Sequence, residues 1–439
     1  MSVLGRELIL VIIVLVSSVT LLQIGYFVAA NAQQEETETH FSDNDGTPDL
    51  LDPNFSVEQV VSGLDLPTTM AFLGPDDILV LEKDKGTVRR VTNGELLSAP
   101  LVDFTVGTQS ERAMGGIAIS HLDSKTYVFL YLTELDKSYS DGDDLRQNVD
   151  PLGNRLYRYE FVDGKLINPL LLLDLPALPG PRHNGGAIII GPDDNLYIPV
   201  GDVDGSYQGE NYETQAQNYP DGVPVDGRSG ILRITQDGQP VGEHGILGDE
   251  IPLSLYYAYG IRNSFGIDFD PVTGNLWETE NGPGNSDEIN LVLPGFNSGW
   301  RQTMGFAQSD DDFDLSNMVD FNGKGKYRDP ELVWINTAGP TGIKFLSSDI
   351  YGPQYKNDLF VGDVHNGRLY HFKLNGDRTH LILEGDLASK VIRTPRAEGI
   401  DQILLGEGFG GITDLELGPD GYLYIVSIGQ GKIFRLIPS

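Results

Sequence analysis

The sequence predicts an all-β chain folded as a six-bladed β-propeller, and three observations lead to this prediction. From Phe55 onward the same unit recurs six times: an apolar strand, a Gly/Asp/Pro turn, a second apolar strand and a later third strand. Apolar and polar residues alternate with period two within the units, which is typical of strands and not of helices. The chain also holds 53 glycines and 25 prolines among 439 residues, which favours a turn-rich β protein. Repeated units of about four strands are typical of propeller blades.

The six units follow one another and the last of them ends at the last residue. They begin at Met70, Ile117, Ala187, Gly266, Ile343 and Leu415. Because the sixth unit has no successor, a strand from the other end must pair with it, since otherwise two sheet edges would stay unpaired. The segment "FSVEQVVSG", residues 55–63, is the candidate for this closing strand. We therefore expect residues 55–439 to form one domain.

The N-terminal residues 1–32 have the pattern of an export signal. Arg6 and Glu7 precede an uncharged, mostly apolar run over residues 8–32, and Ala30-Asn31-Ala32 has the small-x-small pattern of a cleavage site. An apolar run of this length is also long enough to remain as a membrane anchor. Both alternatives stay open, and both predict an extracytoplasmic protein that is secreted, periplasmic or anchored facing outward.

Residues 33–54 are predicted to form an acidic linker. Asp43, Asp45, Asp49 and Asp52, with Gly46 at the turn, have the oxygen-rich spacing of calcium-binding loops. The same residues are also compatible with a solvated linker that binds no metal.

Composition excludes several classes of partner and of site. With 64 acidic and 30 basic residues the net charge is -34, so phosphate backbones and anionic lipid surfaces would be repelled. We therefore expect no nucleic-acid partner, and membrane contact only through an uncleaved N-terminal segment. The chain has no cysteine, which excludes disulfides, thiolate metal sites, cysteine nucleophiles and covalently attached haem.

Three motifs point to a known family. They are "HNGGAIIIGPDDNLYIPVGD" from His183, "YGIRNSFGIDFD" around Arg262, and "ENGPGNSDEIN" with Gly282 and Pro283. Together with the six units, these motifs resemble the soluble quinoprotein aldose dehydrogenases of the glucose/sorbosone type. The resemblance covers residues 55–439. It implies pyrroloquinoline quinone (PQQ) bound over the central mouth of the propeller, with a calcium ion at the quinone edge.

The resemblance also implies a role for individual residues. His183 would be the base that removes the proton of the sugar hydroxyl, and a neutral imidazole within hydrogen-bond reach suits that task. Arg262 would stabilise negative charge on the quinone oxygen, beside Asn263 as a cofactor contact. Gly282 and Pro283 would give backbone carbonyls to calcium.

At other positions this chain departs from the family pattern or matches it less closely. Glu111, in "SERAMGG", stands where the family places a polar substrate or cofactor contact. The family's cofactor-binding lysine is replaced by His365, and its two arginines by Gly411 and Thr413. In the "DEIN" motif, Asp287 and Glu288 are interpreted as capping the turn, and a second calcium site is the alternative.

The predicted function is PQQ- and calcium-dependent oxidation of an aldose sugar or related alcohol, with electrons passed to an external acceptor that the sequence does not identify. One alternative is an extracytoplasmic propeller that binds a partner or ligand and has lost the quinone site, as Gly411 and Thr413 would allow. A third alternative is a metal-dependent hydrolase, which would need acidic side chains around a calcium ion at the central mouth.

Overall fold

The computed structural model describes residues 46–204, 213–307 and 314–439, and these residues are almost entirely β-structure. The first strands are β1 Asp49–Leu50, β2 Phe55–Ser62, β3 Pro67–Gly74, β4 Asp77–Glu82, β5 Thr87–Thr92, β6 Glu95–Leu96, β7 Val102–Asp103, β8 Met114–Leu122, β9 Lys125–Glu134, β10 Gly153–Val162, β11 Lys165–Leu175, β12 Ile189–Ile190, β13 Leu196–Val200, β14 Gly230–Ile234 and β15 Tyr256–Tyr259. The remaining strands are β16 Ser264–Phe269, β17 Leu276–Glu280, β18 Asp287–Val292, β19 Phe296–Asn297, β20 Lys326–Tyr327, β21 Leu332–Trp334, β22 Pro340–Phe345, β23 Leu359–Asp363, β24 Leu369–Phe372, β25 Val391–Ile392, β26 Leu404–Glu407, β27 Ile412–Leu417, β28 Leu423–Ser427 and β29 Lys432–Pro438.

Helical structure is confined to short segments in the loops. The α-helix α1 spans Asp143–Arg146, and single 3-10 turns lie at Gln215–Gln217, Leu253–Leu255, Leu315–Asn317, Gly385–Ser389 and Ile400–Gln402. None of the helices in the described part of the chain is long and apolar enough to cross a membrane. The segment 1–32, predicted as a signal peptide or anchor, lies outside the described residues.

The strands form six sheets with a propeller architecture, which confirms the all-β prediction. Each sheet is built on an antiparallel run of consecutive strands, such as β8–β9–β10–β11 or β3–β4–β5–β6. The first strand of each run contributes residues to one narrow cavity that lies between the six sheets. These strands are β3, β8, β12, β16, β22 and β27. The inner strands approach closely: a Cβ on Gly116 of β8 would lie 2.1 Å from the carbonyl oxygen of Gly186.

One of the six sheets contains strands from both ends of the domain. Strand β2 pairs antiparallel with β29, from Phe55 opposite Pro438 to Ser62 opposite Lys432, so the order in this sheet is β2–β29–β28–β27. The segment predicted as the closing strand therefore occupies that position. A sheet built from both ends of the chain gives the edge strand β29 a partner that would otherwise be missing.

The predicted acidic linker also contributes a strand. Asp49 and Leu50 pair with Glu407 and Gly406 of β26. Strand β1 is therefore the outer strand of the sheet that also contains β22, β23, β24 and β26. Asp52 accepts hydrogen bonds from the backbone N–H of Asn54 and from the Tyr355 hydroxyl. The structure thus uses Asp49 and Asp52 in pairing and packing, while Asp43 and Asp45 lie outside the described residues.

Candidate active site

His183 lies in the loop between β11 and β12 and is buried, with 2 % of its surface exposed. Its backbone has a φ of 58°, a left-handed conformation that is uncommon for a non-glycine residue and often found at functional sites. The backbone N–H donates to Oε2 of Glu111 at 2.8 Å. The ring atom Nδ1 lies 2.6 Å from Oδ1 of Asp202. A carboxylate at Nδ1 favours the tautomer that carries its proton there, which leaves Nε2 free to accept one.

Asp202 follows strand β13 and is 1 % exposed. Its second carboxylate oxygen, Oδ2, accepts a hydrogen bond from Nε1 of Trp300 at 2.8 Å. Its backbone N–H donates to the carbonyl oxygen of Arg262 at 2.9 Å. Asp202 is therefore held from two sides in the orientation that serves His183. Asp202 was not among the site residues predicted from the sequence, although its position two residues after the strand that follows "HNGG" could have indicated it.

Glu111 joins two of the predicted site residues. Its Oε2 atom accepts from the backbone of His183 and also from Nδ2 of Asn263, at 3.1 Å. Asn263 is buried and lies between β15 and β16, whereas Glu111 precedes β8. Three loops that each connect one sheet to the next thus meet at the carboxylate of Glu111, which brings the three predicted residues into one site.

Arg262 connects this site to the "NGP" turn. Its backbone N–H donates to Oε1 of Glu280 at 2.6 Å. Its Nη1 atom donates to the carbonyl oxygens of Asn281 and Gly282, at 2.7 and 2.9 Å. The guanidinium carbon lies 5.4 Å from the centroid of the Trp300 ring, within cation–π range. The guanidinium is therefore fixed between the predicted calcium carbonyls and the indole that holds Asp202.

The turn at Gly282 and Pro283 is held by Asp287. Oδ1 of Asp287 accepts from the backbone N–H of Gly282 at 2.9 Å, and Oδ2 accepts from that of Gly339 at 2.8 Å. Burial raises the pKa of Asp287, and the two backbone hydrogen bonds oppose that rise. This geometry agrees with the interpretation of Asp287 as a turn cap.

Behind Arg262 the neighbouring strands β17 and β18 bury three carboxyl groups, those of Glu278, Glu280 and Glu288, each at most 1 % exposed. The amide Nδ2 of Asn290 faces all three and lies 2.9 Å from Oε2 of Glu288. Burial raises the pKa of Glu280 to about 7, and burial together with the charge of Glu280 raises those of Glu278 and Glu288 well above their usual range. The strand alternation did not predict this cluster, because the three side chains lie on one face of a sheet that is buried on both faces.

The positions that replace the family's cations lie in two different environments. His365 is exposed, with Nδ1 3.5 Å from the carbonyl oxygen of Thr337, and it is close enough to Asp287, which holds the "NGP" turn, to lower the pKa of that carboxyl group when its own ring is protonated. The Thr413 hydroxyl donates to the carbonyl oxygen of Pro67 at 3.1 Å, and Thr413 lines the central cavity. The structure therefore brings His365 near the turn that carries the predicted metal carbonyls, whereas the Thr413 hydroxyl joins β27 to β3.

Within residues 46–204, 213–307 and 314–439, no three His, Asp or Glu side chains are arranged to hold a metal ion. The groups predicted to bind calcium at Gly282 and Pro283 are backbone carbonyls and not side chains.

Comparison with known proteins places the chain in a family. The sequence model of the family "Glucose / Sorbosone dehydrogenase" matches residues 64–435. Aldose sugar dehydrogenase YliI of Escherichia coli is 26% identical over 392 residues, which cover 87% of this chain and 93% of the relative. Quinoprotein glucose dehydrogenase B of Acinetobacter calcoaceticus is 29% identical over 298 residues, 63% of this chain and 59% of that protein.

A solved structure shares the fold. The PQQ-bound form of aldose sugar dehydrogenase from Streptomyces coelicolor superposes with a TM-score of 0.61 at 23% identity, covering 88% of this chain and 98% of that one. The family match spans nearly all of the propeller and includes His183, Asp202, Arg262 and Gly282. The chain belongs to the glucose/sorbosone dehydrogenase family, which includes soluble quinoprotein sugar dehydrogenases.

Proposed function

We propose that this protein is a PQQ- and calcium-dependent dehydrogenase that oxidises an aldose sugar or a related alcohol. The observation that carries the proposal is the buried His183–Asp202 pair, which meets Arg262 through the indole of Trp300. An oriented base beside a fixed guanidinium is what removal of a hydroxyl proton together with a hydride requires. The relatives named as aldose sugar and quinoprotein glucose dehydrogenases support the same reaction class.

The residues around Arg262 fit a quinone held by calcium. Nη1 of Arg262 is used by two carbonyls, so Nε and Nη2 remain as donors within the described residues. The carbonyl oxygen of Gly282 accepts hydrogen bonds from Arg262 and from the backbone N–H of Gly284. Pro283 is exposed, and its carbonyl oxygen accepts no hydrogen bond from the described residues. Carbonyl oxygens are suitable calcium ligands. We propose that Gly282 and Pro283 bind the ion and that Arg262 and Asn263 contact the quinone, which when bound would accept the hydride.

His183 would act as the general base. With its proton on Nδ1 facing Asp202, the imidazole can accept the proton of a sugar hydroxyl at Nε2. The positive charge that then forms on the ring would be stabilised by the Asp202 carboxylate. Asp202 cannot turn away, because Trp300 holds its other oxygen.

Arg262 would supply electrostatic stabilisation from a fixed position. Its guanidinium is bound by two backbone carbonyls and faces the Trp300 ring, so no reorganisation is needed when negative charge grows next to it. Glu111 would hold Asn263 and the His183 loop in place and contact substrate or cofactor. We further propose that His365 and Thr413 take the positions of cofactor contacts.

We also propose the wider organisation of the molecule. Each of the six sheets would be one propeller blade, and residues 1–32 would direct the chain out of the cytoplasm by a signal peptide or an anchor. Asp43, Asp45, Asp49 and Asp52 would form a calcium loop in the acidic segment. An external acceptor, separate from this chain, would receive the electrons.

Calorimetric titration of PQQ into the calcium-loaded protein, followed by dye reduction with a panel of aldoses, tests the proposed function. Saturable PQQ binding together with sugar-dependent dye reduction is the expected result. No PQQ binding and no dye reduction would remove the proposal. Sugar binding without PQQ binding would instead support the alternative of a binding module.

A further inference from the structure

Arg301 is an exposed arginine at the edge of the proposed site. Its backbone N–H donates to the carbonyl oxygen of Gln217 at 2.9 Å, which fixes the main chain. Its guanidinium carbon lies 5.5 Å from the centroid of the Trp300 ring. An arginine that stacks on an aromatic ring keeps its hydrogen-bond donors free for a further partner.

The indole under Arg301 is the one that holds the proposed catalytic machinery. Nε1 of Trp300 donates to Asp202, and the Arg262 guanidinium lies 5.4 Å from the same ring. Tyr219 is close enough to both Arg301 and Asp202 for their charges to act on its hydroxyl. Arg301 therefore lies beside the His183–Asp202 pair and not on a remote surface.

Arg301 has no carboxylate partner within the described ranges. Most other arginines there form salt bridges, as expected when acidic residues outnumber basic ones by more than two to one. Examples are Arg90 with Asp77 and Arg378 with Asp270. No carboxylate of the described residues comes within salt-bridge distance of Arg301. In a chain of net charge -34, an exposed guanidinium that has no carboxylate partner among the described residues and lies beside a proposed active site is a local binding point for an anion.

The two arginines at Trp300 are attached to different parts of the site. Arg262 binds the carbonyl of Gly282, on the side where calcium and the quinone are proposed. Arg301 is tied to Gln217 in the loop between β13 and β14, next to Tyr219. Arg262 is therefore attached to the proposed cofactor side of the site, whereas Arg301 is attached to the loop between β13 and β14.

We infer that Arg301 binds the carboxylate of an acidic sugar, so that the substrate class is a hexuronic acid. This inference rests on the proposed function. A hexuronic acid carries an oxidisable hydroxyl at the anomeric carbon and a carboxylate at the opposite end. The planar fork of a guanidinium can bind that carboxylate with two parallel hydrogen bonds.

The test compares D-glucuronate with D-glucose in the PQQ- and calcium-loaded protein. We expect the parent to have the higher kcat/KM with glucuronate. Arg301→Gln should raise the KM for glucuronate by about 10- to 100-fold, the effect of losing a charge-assisted hydrogen bond, and leave that for glucose unchanged. Arg301→Lys should recover part of the loss. Lys165→Gln, which removes one positive charge from the outer strand β11, is the matched control and should change neither KM.

Calorimetric titration of PQQ and of glucuronate gives a readout that does not depend on turnover. Unchanged PQQ affinity in Arg301→Gln, with weakened glucuronate binding, supports the inference. Equal kcat/KM for the two sugars in the parent would overturn the inference. A loss of PQQ affinity in Arg301→Gln with the sugar preference retained would also overturn it, because Arg301 would then be a cofactor contact. If the loaded protein oxidises neither glucuronate nor any aldose of the panel, the proposed function fails. Glucuronate binding that depends on Arg301 would still support the acidic-sugar site, and its absence would overturn that site as well.

Discussion

The Nδ1 atom of His183 lies 2.6 Å from Oδ1 of Asp202, and both side chains are almost completely buried. The two residues come from opposite ends of the short hairpin β12–β13, so one small unit of the fold delivers both. Trp300, which is 98 residues further along the chain, fixes the second oxygen of Asp202. The orientation of the proposed base thus depends on a contact between two loops of one six-stranded sheet, which contains β12, β13, β19 and β20.

Asp202→Asn should lower kcat by about 10²- to 10⁴-fold in the PQQ- and calcium-loaded protein. An asparagine can turn its NH₂ group toward Nδ1, which would place the imidazole proton on Nε2, where the substrate proton must be accepted. Steady-state dye reduction measures the loss. PQQ affinity should stay within a few-fold of the parent, because Asp202 does not face the proposed cofactor donors.

Asp193→Asn is the matched control for this change. Asp193 lies in the turn of the same hairpin and pairs with Arg233 at the surface, so its substitution should leave kcat unchanged. An Asp202→Asn protein that keeps the parent's kcat would show that Asp202 does not orient the base.

Arg262→Ala should weaken calcium-dependent PQQ binding by about 10- to 100-fold. The substitution removes a positive charge and also releases the carbonyls of Asn281 and Gly282, which Nη1 now holds. Arg262→Lys should recover part of the affinity, because an ammonium can reach one carbonyl but cannot reproduce the guanidinium fork. Calorimetric titration gives the dissociation constants.

Arg90→Ala removes an arginine from strand β5, where it pairs with Asp77, and serves as the control for Arg262→Ala. The control should bind PQQ as the parent does. If Arg262→Ala binds equally well, Arg262 is not a cofactor contact and its bonds to the "NGP" turn serve only the fold.

Local sequence patterns predicted the strands and the motif residues, because alternation and turn residues act over a few positions. His183 and Asn263 could therefore be selected before their common partner Glu111 was known. Trp300 could not be selected, since its partner Asp202 is far away in sequence and only the pairing of distant strands in one six-stranded sheet brings them together. The face of the sheet on which the Thr413 side chain lies could not be predicted either. Thr413 lies at a register shift between Ile412 and Asp414, and alternation no longer predicts the orientation of a side chain there.

Asp144→Ala should destabilise the protein by about 3–5 kcal/mol, as expected when one partner of a buried ion pair is removed. Arg112 and Asp144 lie 3.1 Å apart with side-chain exposures of 2 % and 0 %. Asp144 also accepts from the backbone N–H groups of Thr108 and Gln109, so the substitution removes the carboxylate from both of these donors and from Arg112. Chemical denaturation measures the change in the free energy of unfolding.

The matched control is Asp349→Ala, which breaks the exposed pair between Asp349 and Lys356. Exposed pairs contribute about 0–1 kcal/mol, so the control should be close to the parent. An equal, small effect of both substitutions would contradict the structural role of the Arg112–Asp144 pair. Because Arg112 follows Glu111 directly, the Asp144→Ala protein should also lose activity.

The stability of the folded protein should fall as the pH rises from 5 to 8.5. Burial raises the pKa of Glu280 to about 7 and those of Glu278 and Glu288 well above the usual value of 4.5. Above about pH 4.5 the unfolded chain releases these protons while the folded protein keeps them, so folding becomes less favourable with each pH step. For Glu280 this loss is complete near pH 7, and for its two neighbours it continues to higher pH.

Glu278→Gln should reduce that slope, because an amide has no proton to release and Oε2 of Glu278 has no hydrogen-bond partner among the described residues. Melting temperatures from pH 5 to 8.5, taken at about 0.5 M salt to screen the net charge, provide the comparison. Glu95→Gln, at an exposed position in strand β6, should keep the parent's slope. A melting temperature that rises across this range would show that the three carboxyl groups ionise in the folded protein. If Glu278→Gln instead leaves the slope unchanged, Glu278 is not one of the groups that hold their protons.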